Sequence, residues 1–585
     1  MPQLKNMKPQ SRNYTLLPSG ERETPIPKQK PSRKKLWQWS IPVLLAGAVV
    51  VTLAVTNTSK SGEVKWEPNS SSPACPQFPA LKPMGIDQTE LQQKVMLEID
   101  SDDFFDKSLK RLQGAVQIPT ESFDDLGEVG VDERWEIFKE FHAYLEKTFP
   151  LVFSKLEITK PNTYGLLINW QGKDKSMKPY LFMAHQDVVP VLAVTESRWK
   201  YPPYSAHYDG RFVWGRGASD CKNNLMGVLG TLETLLEQDF VPERTIMAGF
   251  GFDEEISGFH GAAYIAKELE DKLGKNSIEL IIDEGGLGIK EMYGATFALP
   301  GLGEKGYMDI KITVETEGGH SSVPPDNTGI GILSRIVAAI EDAPYSPDLT
   351  PANPYFTTLQ CAAEYGPSIS KALKKSIKKS LTSKSEAKAL AEYLAKDDIK
   401  NRYLMQTSQA TDLVSGGVKI NALPEKVYAV VNHRIAVESR IADIRANMQT
   451  VLEEKILSKF SMSLDAWGSV SGNTSAKSTG QIILEDFSVP LEPSPVSPYD
   501  TDAYRVFTGT IKQVLGEDII VAPSIMTGNT DTKYYWDLSK NIYRFSPVRE
   551  EGRFNAHTVD ERVGMKEHME GIKFYTQIIL NGEVA

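Results

Sequence analysis

Cysteine is scarce in this sequence. Cys75, Cys221 and Cys361 stand too far apart for a CxxC metal site or a disulfide framework, although one disulfide is compatible with them. A surplus of basic residues is also missing: the formal charge of -11 excludes the Lys- and Arg-rich surface that a nucleic-acid partner requires. No internal repeat occurs. Charge itself is lacking from Leu36 to Ser59, and Ile41 to Val55 is almost wholly apolar, which with its flanks approaches the roughly 20 residues of a spanning helix. Trp37 and Trp39 fall where an interfacial aromatic belt lies. Lys28, Lys30, Arg33, Lys34 and Lys35 precede the run, whereas only Lys60 and Lys65 closely follow it, so the positive-inside rule leaves residues 1–35 in the cytosol. A cleaved signal peptide is the alternative, but a leader this long before the apolar core is unusual for one.

What is present is a globular composition, 41% hydrophobic and 24% charged, on a chain of 585 residues, too long for one ordinary core. Residues 1–35 read as a cytosolic tail, 36–56 as a single membrane anchor and the Ser- and Pro-rich residues 57–89 as a luminal stalk. Asn57, Asn69 and Asn473 begin N-x-Ser/Thr sequons. Asn69 and Asn473 are candidate glycosylation sites on the luminal side, while Asn57 falls close to the bilayer. Helical spacing appears between Glu90 and Phe149, after which strands and helices alternate to about Gly303, the pattern of an α/β layer with a largely parallel sheet. Lys371 to Lys396 reads as one Lys-rich amphipathic helix with Leu373, Ile377 and Leu381 on one face, either a solvated surface or a surface for anionic lipid. Strands are expected at Tyr307 to Val314 and Val427 to Ile435, and the prolines of 490–498 mark a long loop before the last portion.

Three apolar runs share one grammar. YLFMAH ends in His185 with Asp187 two residues on, TIMAGFGF ends in Asp253, Glu254 and Glu255, and the run from Ile278 to Ile282 ends in Asp283. Each reads as a buried strand that delivers a polar side chain at its carboxyl end, the edge where open α/β sheets bind ligands. The Gly-punctuated VWGRGASD adds Asp220 ahead of a helix whose Leu225, Val228, Leu229, Leu232, Leu235 and Leu236 keep the 3.6-residue period. His185, Asp220, Glu255 and Asp283 form a nitrogen and oxygen set suited to zinc, cobalt or manganese. With one more His they would hold two divalent ions with Asp220 bridging. Asp187 is placed to hold the His185 ring in one tautomer, and Glu254, beside a ligand but free itself, to take a proton from water.

The succession MAHQDVVP, WGRGASD, FGFDEE, IIDEGG, EGGHSSVPP, NALPE and FNAHTVDER resembles the di-zinc family of aminoacylases and carboxypeptidases, over roughly Leu91 to the carboxyl terminus. The likeness extends to its fungal vacuolar branch acting on Gly-Xaa peptides, the amino-terminal anchor included. The resemblance implies an α/β catalytic domain in two parts, 90–306 and 437–585, around an inserted α+β lid and dimerisation domain, 307–436. It implies two zinc ions per subunit: His185 and Asp283 on one, Glu255 and His557 on the other, Asp220 on both. It further implies a cis peptide bond after Asp220, Glu254 as general base and acid, and His320, Asn421 and Arg434 as substrate-binding positions of the lid. On the residues alone, His320 reads as a turn residue in a Gly-rich loop. In TGNTDTK, Asn529 and Lys533 depart from the family pattern. The implied activity is hydrolysis of the last peptide bond of short peptides bearing a free carboxylate, in the vacuolar lumen. The alternatives are an N-acyl amino acid hydrolase or synthase and a membrane glycoprotein without catalysis.

If residues 36–56 anchor the chain, deleting residues 1–60 yields a folded protein in the soluble fraction, while the full chain stays membrane-bound through a high-salt wash. Fractionation of the two forms checks it.

Overall fold

The computed structural model describes residues 75–82 and 86–582. The tail, the anchor at 36–56, Asn57 and Asn69 lie outside the described residues. Among the described residues no helix is long and apolar enough to cross a membrane. The larger domain is built on an eight-stranded mixed sheet. Its central strands Ile246–Gly251, Tyr180–His185, Leu280–Asp283 and Ile542–Arg544 run parallel, and antiparallel neighbours flank them.

The continuous apolar runs follow from burial on both faces. Along Tyr180–His185, Tyr180, Phe182 and Ala184 enter the core shared with the helices Lys222–Glu237 and Met565–Asn581, while Leu181 and Met183 enter a second core against Ala262–Leu273. Alternation of side chains along the strand divides them this way. The helix Lys222–Glu237 is buried from Lys222 to Leu236 on every face, beyond the single apolar stripe its spacing predicts, because it lies between the sheet and the carboxyl-terminal helix.

The inserted domain is a six-stranded sheet covered by the helices Gly329–Glu341 and Ile441–Leu452. Its centre is the antiparallel ladder of Gly306–Glu315 with Lys426–Ile435, from Gly306↔Ile435 to Glu315↔Lys426. On the other side of Gly306–Glu315 lies Gln481–Asp486, so this domain does not end at 436 but runs to about residue 486. The expected boundary fails because the strands after residue 460 are short and separated by a Ser- and Gly-rich stretch; the proline loop at 490–498 is the true return.

Two further expectations are corrected. The Lys-rich segment is a helical hairpin, Lys371–Ser380 and Lys384–Asp397, broken where Ser383 accepts the Glu386 N–H and caps the second helix. The stalk ends before residue 75. Cys75 is disulfide-bonded to Cys361 in the helix Pro354–Tyr365, the Gln77 side chain donates to the Val521 carbonyl at 2.8 Å, and the Leu81 N–H donates to Gly509 O. Proline-rich composition concealed the apolar contacts that Phe78 and Leu81 make with the main core.

The disulfide joins residues 286 apart in sequence, so its loss frees a long loop in the unfolded chain, worth on the order of 2–4 kcal/mol. Cys361→Ser is therefore expected to lower the melting temperature by several degrees. A thiol titration of the denatured, unreduced protein should find one thiol, that of Cys221, and three after reduction.

Candidate metal centre

The three ligand-bearing strands lie side by side in the centre of the sheet with their carboxyl ends together. His185 closes one of them. Its Nδ1 faces two acceptors, the Asp187 carbonyl at 2.9 Å and Asp187 Oδ1 at 3.3 Å, so this nitrogen donates to Asp187 and Nε2 is turned toward the cluster. Around Nε2 stand Asp220 Oδ1 and Glu284 Oε1, each at 3.3 Å. On the other side of Asp220, Oδ2 lies 3.3 Å from His557 Nε2, which is 3.1 Å from Glu255 Oε2. Asp220 thus turns one oxygen toward each histidine, the disposition of a bridging ligand.

Each carboxylate is held by its own element. Asp220 follows WGRGAS, whose Gly217 has φ +81 and passes so close to Val188 that a Cβ would stand 2.4 Å from its side chain. Glu561 fixes this loop: it accepts from the N–H groups of Ser219 (2.9 Å) and Asp220 (3.1 Å) and pairs with Arg216 at 2.6 Å. The Asp220–Cys221 bond is cis, as the resemblance implies. Glu254 and Glu255 open a short 3-10 turn whose N–H groups both donate to the Asp187 carboxylate at 3.1 Å, and Ser122 Oγ donates to the same group at 2.6 Å. Cys221 stands beside the ligands, but burial holds its thiol well above the ordinary range and its sulfur accepts the His185 N–H.

The expected ligand Asp283 is corrected to Glu284. Asp283 is the last residue of its strand, and its Oδ1 accepts the backbone N–H of Glu284 at 2.8 Å, within the buried region behind the cluster. The next side chain along the chain, that of Glu284, reaches His185. Two adjacent carboxylates carry no sequence signal for which of them faces the site. Arg553 was also not foreseen; its Nη2 lies 3.3 Å from Asp220 Oδ2, and its place directly before the FNAHTVDER motif, four residues from His557, was the available signal.

The electrostatics call for cations. Burial raises Glu255 to about 7 and Glu254 well above its ordinary value, with neighbouring carboxylates adding to both. His557 is pushed up to about 10 by its hydrogen bonds to Asp220 and Glu255. Glu255 Oε1 is buried without a hydrogen-bond partner. Crowded carboxylates, two imidazoles and an orphaned oxygen fit a pair of divalent ions with nitrogen and oxygen ligands. The residues that would hold them are His185, Asp220 and Glu284 at one position, and Asp220, Glu255 and His557 at the other.

The lid residues divide. Arg434 Nη1 donates to Asn529 Oδ1 at 3.1 Å, joining the lid to the 527–533 loop. That loop continues into Asp531, which is buried and faces Asp253 and Asp283 behind the ligand cluster. The departure at Asn529 is therefore the contact that Arg434 makes. His320 and Asn421 lie together on an exposed ribbon, where Ser321 N–H donates to the Asn421 carbonyl and Ser322 Oγ lies 2.7 Å from His320 Nδ1. Neither belongs to the ligand cluster. Asn473 holds Ser475 through its side-chain oxygen.

Glu284→Gln should lower the bound metal by about one ion per chain, whereas Asp283→Asn should retain both, as read by metal analysis after dialysis. Equal retention in the two variants would return the ligand role to a residue other than Glu284.

The sequence pattern of peptidase family M20/M25/M40 matches residues 181–581. An uncharacterised carboxypeptidase of Schizosaccharomyces pombe is 40% identical over 488 residues, covering 82% of this chain and 80% of its own. Carboxypeptidase S of Saccharomyces cerevisiae is 37% identical over 583 residues, 95% of this chain and 99% of its own. Among solved structures, human carnosine dipeptidase 1 matches with a TM-score of 0.58 over 86% of this chain and 100% of its own; at 14% identity the likeness is one of fold. The chain belongs to peptidase family M20/M25/M40.

Proposed function

We propose that the chain is a zinc-dependent carboxypeptidase that removes the last residue from short peptides of the Gly-Xaa type. The observation that carries the reading is Asp220 with one oxygen toward each histidine, in a cluster that also holds Glu254. Two zinc ions bound there would polarise the scissile carbonyl and acidify water. Glu254 takes the proton of the attacking water on its carboxylate and returns it to the leaving amine. Burial raises the Glu254 carboxyl well above its ordinary range, which makes its carboxylate a stronger base toward the attacking water. Asp187 keeps Glu254 in place through the backbone N–H. Arg434, whose planar fork suits a carboxylate, reads the substrate's free terminus from the lid side, with His320 and Asn421 approaching when the lid moves.

The same reading makes the chain a single-pass membrane protein anchored by residues 36–56, with its catalytic body in the vacuolar lumen and sugars on Asn69 and Asn473. A disulfide between Cys75 and Cys361 supports an oxidising compartment. A homodimer through the lid is supported by the strand Ser408–Gly416, which ends the lid sheet with Leu413 and Val414 exposed.

Turnover of a blocked Gly-Leu dipeptide, abolished by a chelator and restored by zinc, tests the reading. Faster turnover of a long-chain N-acyl amino acid would replace it with an acylase function. Glu254→Ala should keep its zinc and lose kcat by a factor on the order of 10² to 10⁴, whereas Glu255→Ala should lose zinc as well. Arg434→Ala should erase the preference for a free terminal carboxylate over its amide.

A further inference from the structure

The helix Lys371–Ser380 carries Lys371, Lys374, Lys375, Lys378 and Lys379 and no acidic residue, on a chain whose net charge is -11. Four of the five are exposed and Lys374 is half-exposed. Lys371, Lys374, Lys375 and Lys378 recur at helical spacing along one stripe, opposite Leu373, Ile377 and Ser380, which turn inward. Among the described residues only Lys379 has an acidic partner, Glu386 at 2.9 Å. Local physics opposes this arrangement twice. Like charges face each other at i,i+4 in the pairs 371/375, 374/378 and 375/379. Lys371 and Lys374 also place positive charge on the first turn, at the positive end of the helix dipole. The hydrophobic packing of the hairpin does not use these charged heads, and the stripe is suited to an external anion.

The covalent path says where that anion lies. The helix packs in one apolar cluster with Pro354–Tyr365, and Cys361 of that helix holds Cys75, the first described residue after the anchor. Eighteen residues separate Thr56 from Cys75, a stretch whose covalent reach cannot exceed roughly 65 Å. The disulfide thereby joins the helix that supports the hairpin to the segment that follows residues 36–56 in sequence. We propose that the Lys371–Lys379 stripe docks on anionic phospholipid headgroups of the membrane in which the chain is anchored, fixing the catalytic body against the bilayer. The inference rests on the reading of residues 36–56 as an anchor.

The test uses the full chain reconstituted in vesicles of phosphatidylcholine alone or with about a third phosphatidylserine, followed by amine-reactive footprinting of the lysines. Anionic vesicles should protect Lys371, Lys375, Lys378 and Lys379 by roughly threefold or more over neutral ones, with protection lost at high salt. Lys267 and Lys272, exposed elsewhere on the body, serve as the unchanged reference. In the variant K374E/K375E/K378E, Lys371 and Lys379 should react equally on both vesicles while dipeptide turnover is unchanged. Equal reactivity of the wild-type stripe on the two vesicles, with the chain still anchored, overturns the docking. Protection by free inorganic phosphate on neutral vesicles assigns the stripe to a soluble anion and overturns it as well. Release of the full chain from vesicles by salt removes the anchor, and the inference with it.

Discussion

A fully buried carboxylate, that of Asp187, ties the site together. It accepts from Ser122 Oγ and from the N–H groups of Glu254 and Glu255, and it faces His185 Nδ1. Burying a charged carboxylate is costly unless it is well hydrogen-bonded, and here the donors that satisfy it belong to the segments that perform the chemistry. The charge is thus stabilised only when the first strand's His and the second strand's Glu-Glu turn are both in register. Removing the group would free a ligand, a base and a ligand together.

The same economy holds on the lid side. Glu304, on the last sheet strand before the lid, is buried against Arg544 at 3.3 Å and accepts from Thr530 Oγ1 and Thr532 Oγ1. Thr530 stands next to Asn529, the partner of Arg434. A buried ion pair of this kind stabilises weakly by itself but specifies geometry when every lone pair is used. It fixes the 527–533 loop between Arg434 of the inserted domain and the carboxyl edge of the sheet, so the inserted domain and the site share one buried connection.

Much of this was legible because the motifs fall at strand ends. Continuous apolar runs identified the parallel strands, and the polar residues that ended them marked the ligand edge, where His185 and Glu255 stand with Asp220 of the Gly-punctuated loop; His557, which completes the cluster, was implied by the family resemblance alone. What failed was whatever depended on contacts distant in sequence. Gln481–Asp486 is a lid strand only because Gly306–Glu315 lies beside it. Cys75–Lys82 is ordered only because Cys361, Gly509 and Val521 receive it. The turn at Thr382–Ser383 interrupts a helical period without a proline or glycine to announce it.

The exchange of Asp283 for Glu284 has a physical logic that extends the role of Asp187. In both places the shorter acid or its neighbour closes a hydrogen bond to backbone near the strand end, and the side chain that reaches the cluster is longer. Asp283 Oδ1 takes the Glu284 N–H, and Asp187 takes those of Glu254 and Glu255. A carboxylate on one methylene is short enough to bond local backbone, the habit that places aspartate at turns and caps; glutamate's extra methylene carries its charge clear of the backbone. In this site aspartates therefore shape the turns and glutamates reach inward. Asp220 is the exception, because the Glu561 clamp on the N–H groups of Ser219 and Asp220 holds its backbone at the centre, where a short side chain suffices to face both histidines.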